Sequence, residues 1–215
     1  PVVQGEFVAM TLAARCGLDV APVELVEVGS RRVLVVERFD REPNGGRRRL
    51  VSALTALGLT TFPEGRYAAY GDLAHLVRAE FVDADATLQE LFGRISFNIL
   101  CGNTDDHGRN HAAFVGEDGL ALTPAYDVCP QAHTGREASQ AMAFTADGRR
   151  ESRVATLVDA SALYHLRRDE ARDLVDAQID TIRDAWGEVC ELAGLTPAQA
   201  DGFWQAQFLS PYALS

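Results

Sequence analysis

The stretch "LQELFGRISFNILCGNTDDHGRN", residues 88–110, joins an apolar run to a polar loop. Five apolar residues recur at the spacing of one helix face: Leu88, Leu91, Phe92, Ile95 and Ile99. This period predicts a helix with one buried stripe. Thr87 and Glu90 have the spacing of a capping box at its start. The helix is expected to end near 101–102 and to deliver residues 103–110 as a loop.

Oxygen-bearing side chains crowd this loop, which contains two adjacent carboxylates, carboxamides and a histidine. Carboxylate and carboxamide oxygens are ligands that Mg²⁺ accepts, together with phosphate. A positioned carboxylate is also what proton abstraction requires. Phosphoryl transfer from ATP uses both chemistries. The loop therefore points first to that class of reaction.

The spacing of three residues supports phosphoryl transfer. Protein kinases place a catalytic aspartate five residues before a metal-binding asparagine, and Asp105 precedes Asn110 by five. Two short predicted strands follow, and the second ends in "PAYDV", which presents Asp127 as a second metal-binding carboxylate. Each residue alone also fits a helix C-terminal turn with local side-chain caps. The set of three favours the kinase interpretation.

A zinc or hydrolase site is the alternative chemistry. It would use Asp105, Asp106, His107 and His111, and the two histidines are four residues apart. That spacing brings two side chains together only on a helix. Gly108 and the strand that follows indicate a loop instead.

The rest of the chain shows helix and strand patterns of ordinary length. Predicted helices cover 6–16, 50–59, 67–81 and 168–192, and predicted strands cover 23–28, 31–39, 111–116 and 120–127. A loop without clear period covers 129–153. The order is helix, hairpin, helices, polar loop, hairpin and helices.

Composition bounds the function classes. The chain has 215 residues, is 47% hydrophobic and carries a net charge of −11, which argues against a large nucleic-acid surface. No run is apolar enough for a membrane span, and no signal peptide opens the sequence. The four cysteines, Cys16, Cys101, Cys129 and Cys190, form no C-x-x-C pair and predict reduced thiols in the cytoplasm. All 20 basic residues are arginine.

Four quoted motifs resemble the HipA family of serine/threonine kinases, the toxins of bacterial toxin–antitoxin pairs. "FNILCGNTDDHGRNHAAF" and "LTPAYDVCP" are similar to its two site motifs, "VLVVERFDR" to its hinge strand, and "GEFVAMTLAARCGLDVAP" to the helix before it. The resemblance implies an α+β, protein-kinase-like fold. Residues 1–40 would be the end of a β-containing small lobe with the hinge, and 41–215 a mostly helical large lobe with the catalytic loop. It also implies ATP and Mg²⁺ as cofactors.

The resemblance implies a role for each residue of the site. Asp105 would be the catalytic base, and His107 would lie near the phosphates as a further catalytic and nucleotide-binding residue. Asn110 and Asp127 would bind both the nucleotide and Mg²⁺.

Three more nucleotide-binding residues follow from the resemblance. Glu37 and Phe39 would offer backbone groups to adenine, although without the resemblance they predict an ordinary edge strand. Glu6 would be the helix glutamate that pairs with a phosphate-binding lysine, or simply an acid favoured by the helix dipole.

The chain departs from the family pattern because it has neither that lysine nor a phosphate-covering loop before it. Since Asp105, Asn110 and Asp127 are retained, we expect an N-terminally truncated kinase whose isolated fragment is inactive. The alternative is a non-catalytic nucleotide- or partner-binding module, a pseudokinase. Expected partners are a protein substrate, such as an aminoacyl-tRNA synthetase, and an antitoxin repressor, with no membrane and no direct nucleic-acid contact.

Overall fold

The computed structural model describes residues 1–59, 68–131 and 137–215. Its α-helices are Val2–Arg15 (α1), Ala53–Ala56 (α2), Tyr70–Glu80 (α3), Ala84–Cys101 (α4), Val154–Asp159 (α5), Arg168–Leu192 (α6) and Pro197–Phe203 (α7). A 3₁₀ helix covers Ser161–Tyr164. The strands are Val23–Val28 (β1), Arg31–Val36 (β2), Leu50–Ser52 (β3), Ala112–Val115 (β4) and Leu120–Leu122 (β5). The mixed, mostly helical architecture confirms the predicted α+β class.

Two small antiparallel sheets flank the helices. β1 and β2 form a hairpin in which Val23 lies opposite Val36, and Gly29 supplies the positive φ of 63° that its tight turn needs. The other sheet has the order β3-β4-β5. Both predicted hairpins are therefore present, although β2, β4 and β5 are shorter than predicted.

The prediction of one helix over 50–59 is wrong at its start. Leu50–Ser52 is a strand that pairs with β4, so the helix begins only at Ala53. Ser52 ends the strand and caps the helix, since its hydroxyl accepts a hydrogen bond from the backbone N–H of Thr55 at 3.3 Å. A three-residue apolar run carries too little period to separate strand from helix.

Two other predicted segments extend outside the described residues. Tyr67, where the second short helix was expected to begin, is one such position, and α3 begins at Tyr70. Residues 132–136 of the predicted loop over 129–153 also lie outside them.

Helix α4 begins and ends on residues suited to those positions. The Asp83 carboxylate accepts a hydrogen bond from the N–H of Ala86 at 3.0 Å and caps the first turn. The predicted capping box is therefore wrong, because Thr87 instead donates its hydroxyl to the carbonyl of Asp83. At the other end Gly102 has φ 72°, and a Cβ there would lie 2.9 Å from the carbonyl oxygen of Gln207.

The central position of α4 is the main feature of the packing. All five residues of the predicted stripe are buried: Leu88, Leu91, Phe92, Ile95 and Ile99. Every residue over 91–101 is in fact buried, so the helix is enclosed rather than amphipathic. Phe92 and Ile95 pack in a core with α3 and α5, while Phe97 and Leu100 pack in a second core with α1 and α6.

Helix α6 packs against the face of α4 that carries Phe97 and Leu100. Its bounds, Arg168–Leu192, match the predicted range, and Val175, Ile182 and Val189 form its buried face. The opposite face is charged, as expected for a helix at the surface of a domain. Within the described ranges no helix combines the length and the apolar character needed to cross a bilayer.

Replacement of Phe92 by alanine tests the importance of the central helix. Phe92 is 0% exposed and packs edge-on against Tyr164 with a centroid distance of 5.7 Å. We expect Phe92→Ala to lower the free energy of unfolding by about 3–5 kcal/mol, because it removes buried apolar surface and leaves a cavity. Urea titration followed by circular dichroism measures this.

Leu192→Ala is the control, since Leu192 is 58% exposed at the end of α6 and its truncation should change stability by no more than about 0.5 kcal/mol. Equal losses for the two variants would contradict the central role of α4.

Candidate active site

The loop over 103–110 is tied at both ends to regular structure. At its start, the backbone N–H of Asn103 donates to the carbonyl of Asn98 at 2.9 Å, and the two carboxamides bond to each other at 3.0 Å. At its end, the N–H of Leu54 donates to the carbonyl of Gly108 at 2.9 Å. The loop is therefore held between α4 and α2 by backbone and side-chain bonds.

The adjacent aspartates of the loop face different environments. Asp105 is exposed, whereas Asp106 is only 4% exposed. One oxygen of Asp106, Oδ2, accepts three hydrogen bonds: from Nδ2 of Asn98 at 2.8 Å, from Nε2 of His111 at 3.0 Å, and from the hydroxyl of Tyr70. The loop thus contains one carboxylate open to solvent and one enclosed within the protein.

The charge state of the enclosed carboxylate follows from these partners. Burial alone would raise the pKa of Asp106, but the imidazole of His111 and the hydroxyl of Tyr70 outweigh it and hold that pKa below its ordinary value. Burial and the charge of Asp106 raise the pKa of Tyr70 well above its ordinary value. Tyr70 therefore remains a hydrogen-bond donor.

Asn110 and Asp127, from different segments, are in direct contact. Nδ2 of Asn110 donates to Oδ2 of Asp127, and Oδ1 of Asn110 accepts from the backbone N–H of His107 at 3.3 Å. Asp127 has a φ of 60°, in the left-handed region that few residues other than glycine occupy. Such conformations concentrate at functional sites, where the surrounding structure maintains them.

The segment that carries Asp127 is fixed by its neighbours. The N–H of Ala125 donates to the carbonyl of Asp19 at 2.8 Å, and the N–H of Ala21 donates to the carbonyl of Ala125 at 2.9 Å. The hydroxyl of Tyr126 donates to the carbonyl of Arg109 at 2.6 Å. The residue before Asp127 is thereby bonded to the loop that contains Asn110.

Burial and nearby charges raise the pKa values of two carboxylates at the centre of the site. Partial burial raises the pKa of Asp127; the hydrogen bond from Asn110 opposes this, and the charges of Asp106 and Asp105 add to it. Burial and then the charge of Asp127 raise the pKa of Glu6. Carboxylates from α1, the loop and the segment after β5 therefore influence one another's pKa values.

A cavity of about 450 Å³ opens beside Asp127. It is lined by Glu6, Val36, Glu37, Arg38, Phe39, Asp40, Leu50, Tyr126 and Asp127. The ring of Phe39 packs against that of Tyr126 at a centroid distance of 5.7 Å. This volume lies in the range of small-molecule sites, which combine apolar walls with a few polar groups.

The structure brings most of the predicted site residues together. Glu6, Glu37, Phe39 and Asp127 line the cavity, and Asn110 is bonded to Asp127. Asp105 and His107 lie close enough for their charges to affect the pKa of Asp127. Within the part of the chain that the structure describes, Nδ1 of His107 is buried and has no hydrogen-bond partner.

Several residues of the site carried little or no signal in the sequence. Asn98 was visible only as a polar residue in an apolar helix, and Tyr70 gave no signal because its contact with Asp106 joins positions far apart in the chain. His111 was considered only as a metal ligand.

The zinc alternative finds no support in the arrangement. His111 Nε2 faces the carboxylate of Asp106 inside the protein. Residues 1–59, 68–131 and 137–215 contain no group of three or more His, Cys, Asp or Glu side chains placed to hold a metal ion.

Likeness to two solved structures identifies the fold as kinase-like. HipA of Shewanella oneidensis, in a complex with HipB and operator DNA, superposes with a TM-score of 0.79 at 25% identity, over 94% of this chain and 53% of that one. The Helicobacter pylori proinflammatory kinase CtkA superposes with a TM-score of 0.57 at 13% identity, a likeness of fold, over 93% of this chain and 83% of that one.

The sequence identifies the family within this fold. Residues 1–186 match the family described as the HipA-like C-terminal domain, and the chain belongs to that family. The resemblance seen in the motifs is thereby confirmed.

Two bacterial proteins are each 34% identical to the chain over the aligned residues. The putative kinase Y4mE of Sinorhizobium fredii aligns over 132 residues, 58% of this chain and 31% of that protein. The serine/threonine-protein kinase toxin HipA of Shewanella oneidensis aligns over 146 residues, 59% of this chain and 34% of that protein. The matched region spans about a third of the length of these relatives.

The raised pKa of Glu6, caused by burial and then by the charge of Asp127, leads to a pH-dependent stability. Because its pKa is raised in the folded chain, the folded state binds the proton more tightly; stability is therefore present at low pH and lost as pH rises through the folded pKa. We expect Glu6→Gln to raise the thermal midpoint at pH 7, with EDTA present, and to have no effect near about pH 3, below the ordinary range of glutamate.

Glu24→Gln, at an exposed position of β1, serves as the control and should change neither midpoint. A stabilisation by Glu6→Gln that persisted unchanged at the lower pH would rule out charge repulsion as its cause.

Proposed function

We propose that this chain forms the nucleotide-binding and catalytic region of an ATP-dependent serine/threonine protein kinase of the HipA type. The observation that carries the proposal is the cavity between Glu6, the 37–39 segment and Asp127, with Asn110 bonded to Asp127 at its edge. Membership of a family whose named relatives are kinases supports the same reaction class.

The adenine of ATP is proposed to bind along the 37–39 segment. The N–H of Glu37 donates to the carbonyl of Pro22 at 2.9 Å, so the groups proposed for the adenine edge are the carbonyl of Glu37 and the N–H of Phe39. Val36 and Leu50 add apolar surface to the same cavity. Adenine would gain two directional bonds and a largely apolar environment.

Mg²⁺ is proposed to bind at Asn110 and Asp127. A carboxylate and a carboxamide oxygen from two fixed segments suit this ion, which usually takes few protein ligands and completes its shell with phosphate and water. The bound ion would neutralise part of the negative charge of the phosphates. Asp127 would supply its Oδ2, and Asn110 would supply its Oδ1 after a rotation of the carboxamide, because Nδ2 of Asn110 faces Asp127 in this structure. Glu6 and Asp105 would add negative potential around the ion.

Asp105 is proposed to be the catalytic base. Its side chain is exposed at the edge of the site, where a substrate hydroxyl can approach. The carboxylate would accept the proton of a serine or threonine hydroxyl as the oxygen attacks the terminal phosphoryl group. His107, which precedes Asn110 by three residues, is proposed to donate a hydrogen bond to a phosphate oxygen.

Glu6 is proposed to pair with a phosphate-binding lysine. The chain contains no lysine, so we propose that the isolated chain binds Mg-ATP but transfers little or no phosphate, and that the complete protein is the active kinase. A non-catalytic nucleotide-binding module is the second candidate, favoured by the same absence. Detection of phosphate transfer by the complete protein decides between the two.

The partners are proposed by analogy with the family. The Shewanella HipA was solved with HipB and operator DNA, and we propose a comparable antitoxin repressor for this protein. With a net charge of −11, contact with DNA would be made through that partner. The proposed substrate is a cytoplasmic protein, for example an aminoacyl-tRNA synthetase.

Substitutions at Asp127 and Asp105 should separate binding from turnover. Asp127→Ala should weaken Mg-ATP binding by roughly tenfold or more, because it removes a ground-state metal ligand. Asp105→Asn should leave binding nearly unchanged and lower kcat roughly 10²- to 10⁴-fold, because a proton acceptor acts mainly in the transition state. Calorimetry on the chain and a phosphorylation assay on the complete protein measure the two effects.

Asp118→Asn is the matched control, since Asp118 is exposed in the turn between β4 and β5, and it should change neither quantity. If Asp105→Asn lost nucleotide affinity while Asp127→Ala kept both binding and turnover, the two roles would be misassigned.

A further inference from the structure

We propose that Asp106 is a positioning residue, whose buried carboxylate joins three structural elements and thereby fixes the loop that presents Asp105 and Asn110. The inference rests on the proposed kinase function for its effect on turnover. The anchoring of the loop itself is a property of the chain without nucleotide.

The three donors to Asp106 come from separate parts of the fold. Tyr70 is the first residue of α3, Asn98 lies in the last turn of α4, and His111 directly precedes β4. All three donate to the same oxygen of Asp106. Oδ2 of Asp106 therefore connects the residues that flank the loop, Asn98 and His111, to helix α3 through Tyr70.

Burial makes these contacts stronger than similar contacts at the surface. The side chains of Asp106 and His111 are each 4% exposed, and the ring of Tyr70 packs edge-on against that of His111 at a centroid distance of 5.3 Å. A buried carboxylate that loses a hydrogen-bond donor is strongly unfavourable, because it remains cut off from water. Few other arrangements of Asp106 and its three donors are therefore stable. The loop is thereby restricted to one conformation.

The restriction on Asp106 also limits the position of the proposed base, Asp105, because the two residues are neighbours in the chain. Asp105 immediately precedes Asp106, and the two side chains face solvent and core respectively. Displacement of the Asp106 backbone would therefore move Asp105 relative to the proposed hydroxyl. Catalytic groups lose rate steeply when they are misplaced by about 1 Å, whereas ground-state nucleotide binding depends on other residues.

Tyr70→Phe and Tyr164→Phe form a matched pair of variants. Both tyrosines are buried and belong to the same core, but the hydroxyl of Tyr164 donates to the carbonyl of Phe144 at 2.7 Å and has no contact with Asp106. Each substitution removes one buried hydroxyl and keeps the ring. A merely structural role for Tyr70 and Asp106 predicts equal behaviour of the pair.

Hydrogen–deuterium exchange of peptides covering 103–110 tests the anchor in the chain itself. Each variant is measured at the same number of degrees below its own thermal midpoint. We expect the loop to exchange several-fold faster in Tyr70→Phe and Asp106→Ala than in the original chain. In Tyr164→Phe it should exchange at the rate of the original chain. The exchange rate of Asp106→Asn should lie closer to that of the original chain than the rate of Asp106→Ala does, because the asparagine carboxamide oxygen can still accept hydrogen bonds. Equal exchange in both tyrosine variants, or no recovery with asparagine, would overturn the anchor.

Steady-state kinetics of the complete protein test the effect on the proposed reaction. Tyr70→Phe should lower kcat roughly tenfold or more and leave KM for ATP within about twofold. Loss of a residue that orients a functional group typically has an effect of this size. Tyr164→Phe should retain the original kcat. An unchanged kcat in Tyr70→Phe would overturn the positioning role. If the original protein transferred no phosphate at all, the proposed kinase function would fail, and the exchange experiment would still decide the anchor.

Discussion

The guanidinium of Arg94 holds the site segments in their relative positions. It lies inside the protein, 4% exposed, where an unpaired charge would be strongly unfavourable. Its Nε donates to Glu90 at 2.8 Å, and its Nη2 donates to the carbonyls of Thr123 at 2.9 Å and Asp19 at 3.1 Å. These carbonyls belong to the segments before Asp127 and before β1. One buried charge thus joins the central helix to the segment that leads to Asp127 and to the segment that leads to β1.

The candidate site is built from interactions that oppose folding. Burial raises the pKa values of both Glu6 and Asp127; the charge of Asp127 adds to the shift at Glu6, and the charges of Asp106 and Asp105 add to the shift at Asp127. Asp127 also occupies a left-handed backbone conformation. Neither feature would persist unless Arg94 and the bonds of Ala125 held the segment in place. A bound cation would offset this repulsion, so the proposed binding of Mg-ATP would be coupled to stability.

Local pattern predicted the helices well because it depends on one segment at a time. The bounds of α6 and the buried stripe of α4 followed from helical period. Strand β3 did not, because Leu50–Ser52 becomes a strand only by pairing with β4, about 60 residues later in the chain. The true cap, Asp83, was missed because Thr87 and Glu90 also had suitable spacing. The five-residue spacing paired Asp105 with Asn110, and the hairpin that follows indicated Asp127, yet neither pattern indicated Tyr70.

The adjacent aspartates show why spacing alone does not fix a mechanism. Asp105 and Asp106 are chemically identical, and sequence separates them only through the position of Asn110 relative to each. In the fold, Asp106 already accepts three hydrogen bonds at one oxygen and is closed to solvent, so a substrate hydroxyl cannot reach it. Asp105 faces the solvent and is therefore the carboxylate that can take up a proton from outside. Burial, which depends on contacts with distant elements, thus supports different proposed roles for two identical neighbours.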